Sequence, residues 1–132
     1  MQFLNTLSKS AAKQTMRSLT SVVKQDMSIL VHPRQLTSSI ADDKVIVLHA
    51  SSLPKEKKEQ IYNNERIPGA RAFDIDVISS RTIKLDRMIP SLTEFVEHMK
   101  RLGINASDEI LAYDDNGLKG ATRAFWMLNV YG

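Results

Sequence analysis

The stretch ILAYDDNGLKGATRAFWMLNVYG, residues 110–132, has the order of a strand, a loop and a helix. An apolar run leads into a polar loop with two glycines, and an apolar segment follows, which predicts a buried strand and then a buried helix. Loops that join a strand to a helix in this way can attract an anion, because the first N–H groups of the helix are unpaired. The loop at 114–120 contains no cysteine, serine or histidine, so it supplies none of the common nucleophiles.

Upstream of this stretch, predicted strands and helices also alternate. The segment SILVHPRQL predicts a short strand and a helical turn that begins at Pro33. KVIVLHASS is nearly all apolar, as in a strand buried on both faces, and the charged LPKEKKEQIYNNER predicts a solvated helix. Ala70 to Asp74 form a predicted short strand, and residues 77–90 a predicted loop. The alternation predicts an α/β domain with a mostly parallel sheet flanked by helices.

The clearest predicted helix lies in PSLTEFVEHMKRLGI, residues 90–104. Ser91 and Glu94 have the spacing of a capping box, in which each side chain accepts a backbone N–H of the other residue. Gly103 follows the last turn and suits the left-handed position that often ends a helix. The spacing predicts a single apolar face, formed by Leu92, Phe95, Val96, Met99 and Leu102.

Composition bounds the chemistry of the chain. Its 132 residues have room for one domain, and the absence of cysteine excludes disulfides, thiolate metal sites and cysteine nucleophiles within them. His32, His49 and His98 lack the spacing of metal ligands and are interpreted as surface or packing residues. Ala112 stands where a calcium loop needs its first ligand, and no P-loop spacing is present. We therefore expect no metal and no cofactor.

The first 25 residues differ from the rest in charge. They contain Lys9, Lys13, Arg17 and Lys24 and no acidic residue, whereas residues 26–132 have 14 basic and 15 acidic residues. A helix would place three of these cations on one stripe, with Leu4, Leu7 and Ala11 opposite. This pattern predicts a mitochondrial transit peptide at 1–25 and a matrix location, with a basic surface tail as the alternative. No apolar run is long enough to span a membrane, and no basic stripe indicates nucleic acid binding.

Four segments, taken in order, resemble one protein family. RIPGARAFDID, MIPSLTEFVEHMKRLGI, ILAYDDNG and ATRAFWMLNVYG are similar to the N-terminal domain of two-domain rhodanese-type sulfurtransferases. VIVLHASS takes the place of that family's V-x-L-D-A-S strand, with His49 instead of the aspartate. The resemblance covers residues 29–132 and implies a rhodanese-like fold. It also implies the transfer of sulfane sulfur from thiosulfate or 3-mercaptopyruvate to a thiol or cyanide.

The resemblance also implies where the chemistry resides. In such proteins the second domain holds the catalytic cysteine, and in this chain Asp114 occupies the matching position. A carboxylate cannot accept a sulfane sulfur, so the chain has no nucleophile of its own. Asp76 matches a residue that assists the cysteine loop, and Arg87 stands where the family has a histidine and would bind the small anionic sulfur donor. An ion pair of Asp76 and Arg87 without a catalytic role is the alternative.

The family's domain continues beyond the point matched by residue 132, with a strand of V-x-x-L-D-G-G type that lies between the first strand and the EILAYD strand. We therefore expect residues 26–132 to be an N-terminal rhodanese domain that is incomplete at its C-terminus, with the catalytic second domain absent. Such a chain would leave strand edges unpaired. Two alternatives stay open, which are a non-catalytic rhodanese-like module that binds an anion or a protein, and a non-functional fragment.

Overall fold

The computed structural model describes residues 3–6, 29–36 and 45–132, which form an open five-stranded sheet with helices on both faces. The strands are β1 (Phe3–Thr6), β2 (Leu30–Val31), β3 (Val45–His49), β4 (Arg71–Ala72) and β5 (Glu109–Tyr113). The helices are α1 (Lys55–Glu65), α2 (Ile75–Ile78), α3 (Leu92–Arg101) and α4 (Lys119–Tyr131). Residues 33–36 are also helical, as Pro33 predicts.

The sheet is mostly parallel, as the alternation of strands and helices predicts. The strand order is β2-β1-β5-β3-β4, and β3 is parallel to both β4 and β5. Only β1 runs in the opposite direction, because it is antiparallel to β2 and to β5. The carboxyl ends of β3, β4 and β5 therefore meet at one edge of the sheet, where ligands of open α/β sheets bind.

Alternate residues of the central strands enter two separate cores. Leu48 and Ala112 face the core that is covered by α2, α3 and α4, whereas Val47, Leu111 and Tyr113 face the opposite side. Strands β3 and β5 are thus buried on both faces, which explains their nearly unbroken apolar sequence. The segment LPKEKKEQIYNNER does form a helix, α1, as predicted.

The signals at both ends of α3 are confirmed. The Ser91 hydroxyl accepts the Glu94 N–H at 3.3 Å, and the Glu94 carboxylate accepts the Ser91 N–H at 2.8 Å. At the other end Gly103 has φ of +67°, and the Ile104 N–H donates to the Met99 carbonyl at 2.9 Å. The helix therefore ends in a Schellman motif that closes its last turn.

The predicted apolar face of α3 is only partly right. Phe95 and Met99 are buried, but the side chains of Leu92 and Val96 are exposed to 57% and 39%. His98 is buried beside Met99 instead. Burial lowers the pKa of His98, and the positive charges of Arg101 and Arg81 lower it further. The buried face is thus rotated towards position 98, which apolar spacing alone does not reveal.

Residues 70–78 differ from the prediction because an aspartate ends the strand early. Strand β4 contains only Arg71–Ala72, and α2 begins directly after Asp74. The Asp74 carboxylate accepts the Asp76 N–H at 3.0 Å, which caps this short helix. The loop predicted for residues 77–90 begins later, because Val77 and Ile78 belong to α2. Residues 79–90 connect α2 to α3 without a helix or strand.

Strand β1 was not predicted. It lies between β2 and β5, in the position where the family resemblance leads us to expect a further strand, and it pairs residues 3–6 with residues 110–113. The expected unpaired edge of β5 is therefore covered in this chain. Leu4 belongs to a strand and not to the predicted leader helix, while Leu7, Lys9, Ala11, Lys13, Arg17 and Lys24 lie outside the described residues.

Candidate functional site at the carboxyl edge of the sheet

A cleft opens beyond the carboxyl ends of β3 and β5. Its volume is about 360 Å³, and its walls come from the loop after β3, from α2, from the 79–90 connection and from the start of α4. This is the edge at which the fold predicts a ligand. The lining residues are Ser52, Ile75, Arg87, Asn116, Lys119 and Arg123.

Asp76 and Arg87, the two residues that the resemblance singles out, are in contact at this edge. Arg87 Nε donates to Asp76 Oδ1 at 2.9 Å, and the two side chains are 48% and 47% exposed. The other carboxylate oxygen, Oδ2, accepts a hydrogen bond from Lys58 Nζ at 2.8 Å. Asp76 is therefore held between two cations, one of which is buried.

Lys58 also binds Asp74, with Nζ 2.6 Å from Oδ1, so one ammonium joins two carboxylates. Burial alone would lower the pKa of Lys58, but the hydrogen bonds to Asp74 and Asp76 outweigh it, and its pKa is raised. The hydrogen bond from Lys58 lowers the pKa of Asp76 despite partial burial, and Arg87 lowers it further. Asp76 is thus ionised at neutral pH and suits an electrostatic or positioning role better than that of an acid.

The backbone of Arg87 is held in an uncommon conformation. Its φ is +58°, in the left-handed region that few residues other than glycine adopt. Its carbonyl accepts a hydrogen bond from Arg123 Nη2, and the Arg123 guanidinium lies 4.6 Å from the centre of the Trp126 ring. Contacts with Asp76 and Arg123 therefore fix Arg87 at the mouth of the cleft.

Asp114, which the resemblance implies to match the family's cysteine, has its carboxylate turned inward. It is only 4% exposed and accepts the N–H groups of Asn116 at 2.7 Å, of Gly120 and of Ala121 at 3.3 Å. The loop therefore does not present these N–H groups to an anion, contrary to the general expectation for a strand–loop–helix segment. The chain's own carboxylate occupies them and caps α4.

The same loop is packed tightly against the end of β3. A side-chain carbon added at Gly120 would lie 1.6 Å from the Ala50 carbonyl oxygen, so only glycine fits there. Next to it, Asp115 accepts hydrogen bonds from His49 Nε2 at 3.1 Å and from the Ser51 hydroxyl at 2.8 Å. The His49 ring is buried between the rings of Tyr62 and Tyr113. His49 is thus a packing residue, as predicted.

Sequence reasoning missed Lys58 and every residue that lines the cleft except Arg87. The lysine run of α1 was predicted to be an exposed face, yet Lys58 is only 8% exposed, while the side chain of Lys55 is 79% exposed. A signal was available in Tyr62, which follows Lys58 at i+4 and binds the Ala70 carbonyl at 3.0 Å. Residues four apart share a helix face, so Lys58 lies on the side of α1 that meets the sheet.

In the part of the chain that the structure describes, no group of three His, Cys, Asp or Glu side chains could hold a metal ion. Across the same residues, no helix combines the length and the apolar character that a membrane span requires.

Known proteins show which family and fold this chain resembles. The 3-mercaptopyruvate sulfurtransferase of Escherichia coli K12 is 41% identical over 73 residues, which are 55% of this chain and 26% of that protein. The Rattus norvegicus 3-mercaptopyruvate sulfurtransferase is 37% identical over 102 residues, or 74% of this chain and 34% of its own length. The mitochondrial thiosulfate/3-mercaptopyruvate sulfurtransferase 1 of Arabidopsis thaliana is 35% identical over 74% of this chain and 26% of itself.

A solved structure gives the same result for the fold. SseA from Escherichia coli, a 3-mercaptopyruvate sulfurtransferase with the rhodanese fold, matches 73% of this chain and 38% of its own, with 33% identity and a TM-score of 0.65. No family model matches the sequence. The chain spans about a quarter to a third of the length of these curated relatives. It has a rhodanese fold and, over part of its length, is homologous to sulfurtransferases.

Proposed function

We propose that this chain forms the non-catalytic N-terminal rhodanese domain of a sulfurtransferase that moves sulfane sulfur from 3-mercaptopyruvate or thiosulfate to a thiol or cyanide. The observation that carries the proposal is the inward-facing carboxylate of Asp114, which fills the loop where the family's nucleophile would stand. A sulfane sulfur is accepted by a thiolate, and this chain contains no cysteine. The reactive sulfur must therefore come from another rhodanese domain that contains a cysteine.

In this proposal Asp76 and Arg87 form one wall of the shared site. Asp76 is ionised and fixed by Lys58, so it places a negative charge at a constant position beside the cysteine loop of the partner domain. Arg87 presents a guanidinium that can bind the anionic donor, since it is about half exposed. Because an arginine does not release its proton in proteins, Arg87 binds the donor and does not relay protons.

The proposal extends to the parent protein and its location. Residues 26–132 would be followed by the remainder of the first domain and by the cysteine-containing domain, in keeping with relatives that are about three to four times longer than the matched regions. Residues 1–25, with four cations and no acid, would direct the protein to the mitochondrial matrix. Fusing these residues to a fluorescent protein tests the targeting, and a diffuse cytosolic signal would contradict it.

The decisive experiment has two arms. The 132-residue chain should form no thiocyanate from thiosulfate and cyanide, and mass spectrometry should find no persulfide on it. Turnover above a buffer blank would contradict the proposal. Sequencing the transcript beyond the Gly132 codon should find an LDGG-type strand and a cysteine-containing loop in frame. If no such sequence is present, the chain acts without a catalytic half and the proposal is wrong.

A further inference from the structure

We infer that the cleft at the carboxyl edge of the sheet is itself an anion site, in which Lys119, Arg123 and Ser52 bind a small tetrahedral oxyanion of the sulfate or thiosulfate class. The inference shares Arg87 with the proposed function and otherwise concerns residues to which that function gives no role. It requires neither the cysteine nor the second domain. The binding site would lie wholly within this chain.

The first observation is the uncompensated charge of the cleft. Three cations line it, and no carboxylate is among its lining residues. Arg87 is neutralised by Asp76, but Lys119 and Arg123 have no carboxylate within ion-pair distance among the described residues. The nearby Asp114 directs its charge into the start of α4 instead. A site with two cations and no counter-charge attracts an anion.

The second observation is a set of polar atoms without partners. Ser52 Oγ and Arg123 Nε are both buried and make no hydrogen bond within the described chain. Buried donors without acceptors are costly, and such atoms in native proteins commonly mark an unseen water or ion. An oxyanion would accept from both groups, whereas a metal cation or a neutral apolar ligand would leave the guanidinium unsatisfied.

The third observation is that the guanidinium of Arg123 is already fixed. Its Nη2 atom donates to the Arg87 carbonyl, and its Cζ atom lies 4.6 Å from the centre of the Trp126 ring. Little side-chain entropy is therefore lost when a ligand binds to Nε, which favours affinity. The cleft, of about 360 Å³, has room for an ion of four or five heavy atoms and its waters. It is too small for a chain of nucleotides.

Titration of the ¹⁵N-labelled 132-residue chain tests the inference. Sodium thiosulfate and sodium sulfate, at ionic strength matched with sodium chloride, should shift the amide signals of Ser52, Asn116 and Lys119 in a saturable way. The dissociation constant should be on the order of millimolar, as for a few charge-assisted hydrogen bonds. Phosphate forms a third arm, and preferential binding of phosphate would move the ligand class from sulfur oxyanions to phosphate groups and overturn that assignment.

Matched variants locate the site. Lys119→Ala and Ser52→Ala should each weaken binding by about threefold or more, while Lys100→Ala, which removes an exposed cation of α3, should leave it unchanged. Arg123→Lys should also weaken binding, because an ammonium lacks the Nε donor and the planar shape. Equal shifts with chloride, or affinities that these variants do not change, would overturn the inference.

One variant separates this inference from the proposed function. Asp76→Asn frees Arg87 from its ion pair, so oxyanion binding by this chain should become about twofold to threefold tighter. The proposed function requires the same change to lower turnover of the complete protein. Tighter binding with unchanged turnover would support the anion site and contradict the role of Asp76. Weaker binding with lower turnover would contradict the anion site and support the role of Asp76.

Discussion

The loop after β5 and the wall formed by α2 and the 79–90 connection lie at the same edge of the sheet, yet they use carboxylates in opposite ways. Asp114 is buried, and three backbone N–H groups bind its oxygens. Asp76 is about half exposed and is bound by two side-chain cations. The first carboxylate closes a loop, and the second keeps cations in place beside an open cleft. The role of each carboxylate is therefore defined by the groups that bind its oxygen atoms and not by its position at the edge of the sheet.

The largest effect on stability should come from a substitution that forces the loop after β5 away from the end of β3. Gly120→Ala places a methyl group 1.6 Å from the Ala50 carbonyl oxygen, so backbone must move. We expect a loss of at least about 3 kcal/mol in the free energy of unfolding, measured by urea denaturation.

Gly117→Ala is the matched control for this substitution. A side-chain carbon at Gly117 meets no atom within 4 Å, although φ there is +71°. Its cost should be about 1 kcal/mol, from the left-handed backbone alone. If both variants lose the same stability, the tight approach of Gly120 to β3 is not what closes the loop.

Removing the inward-facing carboxylate should have the next largest effect. Asp114→Ala leaves the N–H groups of Asn116, Gly120 and Ala121 without their acceptor, and we expect a loss of about 2–3 kcal/mol in unfolding free energy. Asp86→Ala, in the exposed connection, should change it by less than about 0.5 kcal/mol. A stable Asp114→Ala protein would mean that the loop does not depend on this carboxylate.

A substitution in the wall formed by α2 and the 79–90 connection should change activity more than stability. In a protein that contains both rhodanese domains, Arg87→Ala should lower kcat/KM by about tenfold, since one charge-assisted contact with the donor is lost. Because the ion pair with Asp76 is about half exposed, stability should fall by no more than about 1 kcal/mol. Lys100→Ala is the control for steady-state kinetics. If the Arg87→Ala enzyme kept full activity but lost stability, Arg87 would have a structural role and would not bind the donor.

The smallest expected effect is a pH dependence of stability that arises from the ionisation of Asp76. Its pKa is lowered from 3.8 in the folded chain, chiefly by the hydrogen bond from Lys58, so the folded state binds its proton less readily than the unfolded state. The stabilisation is present above about pH 3.8 and is lost as the pH falls through the lowered pKa. The difference in unfolding midpoint between the original chain and Asp76→Asn should therefore stay constant above about pH 3.8 and shrink as the pH falls below it. A difference that also stays constant below that pH would exclude ionisation of Asp76 as its source.

The sequence was sufficient to predict the strands and helices that are determined by local sequence patterns. The apolar runs of β3 and β5, the capping box of α3 and the glycine after it all predict what the structure contains, because backbone hydrogen bonding and burial decide them. It was also sufficient to single out Asp76 and Arg87, since the resemblance named both. Whether they assist catalysis is still a prediction.

What the sequence could not give depends on contacts between distant segments. Lys58 is buried only because Asp74 and Asp76, about sixteen residues later, neutralise it. Arg123 enters the cleft only because the Arg87 carbonyl and the Trp126 ring hold it there. The short strand β1 pairs with residues of β5 more than one hundred positions away, and four residues in a basic segment carry no local signal for such pairing.

Strand β1 makes part of the N-terminal segment a member of the sheet. It is the sole neighbour of β2 among the described strands and covers one side of β5. If a matrix protease removes residues 1–25, β1 leaves with them, and a vacancy about 10 Å wide, two strand spacings, opens inside the sheet. Maturation would then prepare the sheet to accept a strand from elsewhere, and faster amide exchange in β5 after removal of residues 1–25 would report that vacancy.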